Sequence, residues 1–219
     1  ADDGIEVFNN GSGALSITAG TTTGDTDDGI DAKNDGTDLT INAATTTGAE
    51  EGIEAVNNGS GALSITTTGT TTGTAGNGID AYNSSAGTDL TVNAATTWGK
   101  DDGIEAKNYG SGALSITTTG TTTGTTGGEA DNETGYGIFA FNSSDSTGDL
   151  TINAATTTGN KYGINAFNDG TGALSITTTG TTTGTNVDGI YANNSSNSTG
   201  DLTIVAAKTS GGDDGIQAI

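Results

Sequence analysis

Short bursts of alternating apolar and polar residues recur along the chain, separated by stretches rich in glycine, threonine and asparagine. One burst, Gly-Ile-x-Ala-x-Asn, begins at Gly4, Gly29, Gly52, Gly78, Gly103, Gly137, Gly163, Gly189 and Gly215, with Val7 replacing alanine in the first copy. Successive copies lie 25, 23, 26, 25, 34, 26, 26 and 26 residues apart. Each period holds a second burst, Leu-x-Ile, in two alternating forms. Gly-Ala-Leu-Ser-Ile-Thr starts at Gly13, Gly61, Gly112 and Gly172; Asp-Leu-Thr-Ile/Val starts at Asp38, Asp89, Asp149 and Asp201. A period of two marks a strand with one buried face, and the glycine-rich breaks supply turns.

A lone short strand cannot bury its apolar face, but coils stacked in parallel bury a continuous core. The predicted fold is all-β: a right-handed parallel β-helix (a solenoid) of about 25 residues per coil and roughly eight to nine coils. It forms a single array over residues 1–219, about 38 Å long at strand spacing. The chain opens at one marker and stops inside another, so we expect a fragment of a longer array. The 34-residue period places an insertion near residues 125–135, where a solenoid carries either a tolerated loop or a functional one.

Reading down the coils gives four apolar columns: Ile5 to Ile216, Val7 and then Ala32 to Ala218, Leu15 to Leu202, and Ile17 to Ile204. A slip of one residue would expose all four, so the register is strongly specified. A further inward column is polar: Asn9, Asn34, Asn57, Asn83, Asn108, Asn142, Asn168 and Asn194. Stacked at about 4.8 Å, each amide can donate to the carbonyl of the next, forming a structural ladder. Asparagine also tolerates the left-handed conformation that a sharp corner would call for.

Composition narrows the chemistry. The chain lacks cysteine, proline, methionine and histidine, and its only cations are five lysines against 27 acidic residues, a net charge of −22. Disulfides and thiolate chemistry are excluded. Nucleic acid and anionic membranes, which are bound through clustered Lys and Arg, are not expected partners. No apolar run is long enough for a membrane-spanning helix, so no membrane insertion is expected of this stretch.

The Gly-Ile-x-Ala-x-Asn coil, the Leu-x-Ile strand, the Thr/Gly/Asn/Ser/Asp composition and the absence of cysteine resemble the passenger regions of bacterial autotransporter adhesins. The resemblance covers the whole chain. It implies export across an outer membrane, display on the bacterial cell surface, and adhesion or aggregation, with the partner being another copy of the chain or a host or environmental surface.

Two outward arrays are candidate sites. Asp31, Glu54, Asp80 and Glu105, preceded by Glu6, form an acidic strip. Ca²⁺ takes several carboxylate oxygens, so the strip is a possible Ca²⁺ site; a solvated acidic face that discourages wrong association is the plainer reading. No other cofactor is indicated. The second array is a grid of Thr40, Asn42, Ser64, Thr66, Thr91, Asn93, Ser115 and Thr117, with equivalents in the outer coils. Two such grids can interlock through many weak hydrogen bonds, although threonine also simply suits exposed strands. A third outward column holds Phe8, Tyr82, Phe141 and Phe167, residues suited to sugars or a partner.

An adhesive, self-associating surface rod is therefore the expected function. The alternatives are a solenoid that binds ice or glycan, or a carbohydrate-active enzyme. Asparagine in alternate coils spoils an ice-matching threonine lattice. Columns this regular leave no local cluster resembling an active site, so no enzymatic activity is expected.

Overall fold

The structure is a computed structural model that describes residues 2–126 and 135–219. The chain is an all-β parallel solenoid of about 8 turns, with ~26 residues per turn. No helix occurs among the described residues. The Gly-Ile-x-Ala-x-Asn segments, from Ile5–Asn9 to Ile216–Ala218, form a nine-stranded sheet in which each strand pairs only with its equivalents in adjacent coils. The register is the one expected: Ile5 faces Ile30, Ala32 faces Ala55 and Asn83 faces Asn108.

The Leu-x-Ile segments form the second side of the coil, from Leu15–Ala19 onward. A third strand follows in each coil, on the Thr-Thr-x-Gly segments such as Thr70–Gly73, Thr96–Gly99 and Thr121–Gly124. The alternation of apolar residues does not reveal this strand. In the later coils the second and third sides run together as the single strands Leu174–Gly184 and Leu202–Gly211, which join both series into one 14-stranded sheet.

The interior is aliphatic. Ile30, Ile53, Ile79, Ile104, Leu39, Leu63, Leu90 and Leu114 have no exposed surface. The marker glycine permits close stacking: a Cβ on Gly78 would lie 2.6 Å from the carbonyl oxygen of Gly103 in the next coil. A side chain there would force the coils apart.

The asparagine column forms the expected ladder. The Asn34 amide donates to Asn57 Oδ1 at 2.9 Å, Asn57 to Asn83 at 3.0 Å, Asn83 to Asn108 at 2.9 Å and Asn108 to Asn142 at 3.1 Å. The end members, Asn9 to Asn34 at 2.7 Å and Asn168 to Asn194 at 2.9 Å, continue it. Each Nδ2 also donates to a carbonyl of its own corner, as from Asn168 to Gly172 at 2.8 Å. The expected left-handed backbone is not found: among the described residues no non-glycine residue has positive φ, and Gly135, at 91°, is the one glycine that does. Asparagine is used here for its two-ended amide, not for its backbone.

The third side is lined inward by threonine. Thr46, Thr71, Thr122, Thr157 and Thr182 are fully buried and Thr97 nearly so. Thr157 donates to Thr182 at 3.2 Å, but the hydroxyls of Thr46, Thr71, Thr97 and Thr122 have no partner among the described residues. Such an unpaired buried hydroxyl destabilises, and a methyl of the same shape does not. Thr97→Val is therefore expected to be neutral or to stabilise the fold by about 1 kcal/mol, read as the urea midpoint. A lower midpoint would show that the hydroxyl is bonded after all.

Candidate functional site

The outward residues between Ile and Ala align in register along the first side: Glu6 with Asp31, Asp31 with Glu54, Glu54 with Asp80, and Asp80 with Glu105. All four carboxylates of the candidate Ca²⁺ strip thus lie on one line, partly buried. They are not equivalent. Glu105 forms an ion pair with Lys107 and accepts a hydrogen bond from the Asn77 amide at 2.9 Å. Its charge is largely satisfied within the protein.

The preceding corner adds a second acidic line. Asp28, Asp102 and Asp188 are buried just before the marker glycine, each accepting a hydrogen bond from the backbone of the next coil. Asp28 Oδ1 accepts from Glu51 N at 2.8 Å; Asp102 Oδ1 accepts from Gly135 N and Tyr136 N, both at 2.8 Å. Asp3, Asp27 and Asp28 bring carboxylate oxygens within 4.8 Å of one another. That grouping sits at the corner, beside the proposed strip.

Burial, aided by neighbouring charges, holds protons on Asp31, Glu51, Glu54, Asp80 and Asp102. Burial raises Asp31 to about 6, aided by the charges of Asp28, Asp3, Glu6 and Asp27. Burial and the Asp31, Asp28 and Asp80 carboxylates raise Glu54 to about 7. Asp80 is raised to about 7 by burial and Glu105, although Lys107 opposes the shift. Glu51 rises to about 8 through burial and its contact with Asp28. Asp102 also reaches about 8, because burial outweighs the two backbone N–H groups that stabilise its charge. Lys107, in turn, keeps its proton more firmly: burial opposes its charge, but the hydrogen-bonded Glu105 prevails.

Beyond Glu105 the same column changes character. Its next members are Phe139, Asn165 and Tyr191. Here aromatic rings gather from two columns and a corner. Tyr136 stacks on Phe139 with centroids 5.5 Å apart, Phe139 lies 6.1 Å from Phe167, and Phe167 lies 5.5 Å from Tyr191. A second chain runs from Tyr82 through Tyr109 to Phe141, at 5.2 and 5.4 Å. Phe141 and Phe167, two members of the aromatic column, are neighbours in register, whereas Phe8 stands apart and 51% exposed. The sequence column did not anticipate Tyr109, Tyr136, Tyr162 and Phe139, which come from corners and the neighbouring column.

The polar grid lies on the second side. Thr40 pairs in register with Ser64, Ser64 with Thr91, and Thr91 with Ser115; Asn42 pairs with Thr66, Thr66 with Asn93, and Asn93 with Thr117. Asn42 and Asn93 are exposed and the other six are partly so. Trp98 sits outward on the third side, between Thr72 and Thr123 of the adjacent coils, and joins none of these arrays. Of the predicted insertion, residues 127–134 lie outside the described residues; Thr126, before them, donates to Asp101 Oδ1 at 2.6 Å.

No known protein family, curated protein or solved structure matches the chain.

Proposed function

We propose that this solenoid is the surface-displayed shaft of a bacterial autotransporter adhesin, exported from the cell and self-associating through the grid on its second side. The observation that carries the reading is that grid: two adjacent outward columns of hydroxyl and amide groups, in register across the coils and facing solvent. Strand geometry spaces such groups at about 4.8 Å between coils and roughly 6.7 Å along each strand, so a second copy can align many pairs at once. Each hydrogen bond adds only about 1 kcal/mol, and the association is expected to be reversible. The high net negative charge opposes it, which makes divalent cations a natural modulator at the acidic strip. A host or environmental surface is the alternative partner. The reading assigns the protein no catalytic step.

Sedimentation velocity over a concentration series, in Ca²⁺ and in EDTA, tests this. The sedimentation coefficient is expected to rise with concentration. Thr66→Asp combined with Thr117→Asp places like charges on the grid and should abolish the rise without lowering the melting temperature. A compact monomer at every concentration in both buffers would reject self-association. Association only in Ca²⁺ would assign the cation to the acidic residues.

A further inference from the structure

Where the acidic column gives way to aromatics, Glu105, Lys107, Tyr109, Tyr136, Phe139, Asn165 and Phe167 line a pocket of about 440 Å³. This size falls within the range of about 300–1,000 Å³ usual for small-ligand pockets. We propose that this pocket is a binding site for a neutral oligosaccharide. It lies on the first side of the coil and does not depend on self-association through the second.

Asn165 is the group that points to a ligand. It is 5% exposed, and its Oδ1 has no hydrogen-bond partner among the described residues. In the equivalent outward position the other coils carry a carboxylate or a ring, except the last, whose Gln217 is exposed; here a buried amide is set between Phe139 and Tyr191. A buried amide oxygen left unpaired is costly, so the site is incomplete without a donor, and a ligand hydroxyl is one.

The surrounding groups narrow the class. Tyr136, Phe139 and Phe167 present a wall of rings whose negative faces attract weakly positive C–H groups. Lys107 and Glu105, held together as an ion pair, place a donor and an acceptor beside that wall, with the ammonium 5.9 Å from the Phe139 centroid. A pyranose has this combination of needs: C–H groups on its faces and hydroxyls around its rim. An apolar aromatic ligand without a donor would cover the rings and leave Asn165 unpaired. An acidic glycan would have to approach a chain of net charge −22 at the end of a line of carboxylates.

Saturation-transfer NMR on the whole chain, with cellohexaose, mannohexaose and chitotetraose as neutral probes and oligogalacturonate as the acidic one, tests the proposal, with affinities from calorimetry. At least one neutral probe should receive saturation at millimolar concentration and the acidic one none. Asn165→Ala and Phe139→Ala, both outward positions, should each weaken binding about tenfold or more while the circular dichroism spectrum is kept. Thr66→Asp should leave binding unchanged, which separates this site from the self-associating face. Silence from all three neutral probes would overturn the proposal, as would affinity equal to the parent's in both pocket variants or a preference for oligogalacturonate.

Discussion

Replacing Asn108 with leucine is expected to destabilise the solenoid by about 4 kcal/mol, the sum of two or three buried polar groups left unpaired at about 1–3 kcal/mol each. Asn108 Oδ1 accepts from the Asn83 amide at 2.9 Å and from Gly110 N at 3.2 Å; its own Nδ2 donates to Asn142 at 3.1 Å and Gly112 O at 3.2 Å. Leucine fills the volume but orphans Asn142 Oδ1 and the Gly110 N–H, and takes one acceptor from Asn83. The Asn83 Nδ2 keeps a bond to Thr88 O at 3.2 Å. At Asn9, in the partly buried first coil, the same change should cost only about 1 kcal/mol, because water replaces the lost partners. Urea titration followed by circular dichroism measures both, compared as midpoints, since repeat arrays do not always unfold in one step. Equal midpoints for parent and Asn108→Leu would show that the amides merely fill space.

Of the two inward polar columns, asparagine and threonine, one is legible in the sequence and the other is not. The asparagine column stands out because the residue recurs at the end of an apolar alternation whose phase is already known. On the third side the inward residue is threonine, the outward residue is threonine too, and no apolar phase tells them apart. Only the closing glycine, as at Gly73, Gly99 and Gly124, repeats there as a landmark. The candidate arrays divide in the same way. Residues two apart on one strand, such as Thr40 and Asn42, share a face by periodicity alone, so the grid and the acidic line follow from the register. The aromatic pocket does not, because Tyr109 and Tyr136 lie at corners whose direction the strand period does not fix. The capture of Glu105 by Lys107 and Asn77 is equally hidden: Lys107 is two residues along the strand, but Asn77 reaches Glu105 from the corner of the preceding coil.

Acidification from pH 8 to pH 5 is expected to raise the melting temperature. The unfolded chain ionises its aspartates and glutamates near pH 4, whereas the folded chain holds protons on Asp31 to about 6, on Glu54 and Asp80 to about 7, and on Glu51 and Asp102 to about 8. Between those limits the folded state binds more protons than the unfolded one. Stability therefore falls as the pH rises from about 4 to 8 and levels off above. Crediting Asp80 and Asp102, the two deepest in their surroundings, with only one unit each gives roughly 3 kcal/mol; the more exposed carboxyls add less because solvent screens them. Repulsion across the whole acidic surface acts in the same direction. Asp80→Asn isolates the effect: it should raise the melting temperature at pH 8, leave it unchanged at pH 4, and flatten the profile between. A melting temperature that climbs with pH would mean that the carboxylates are stabilised as charges in the folded chain, and a bound cation along the line would then be the first explanation to test.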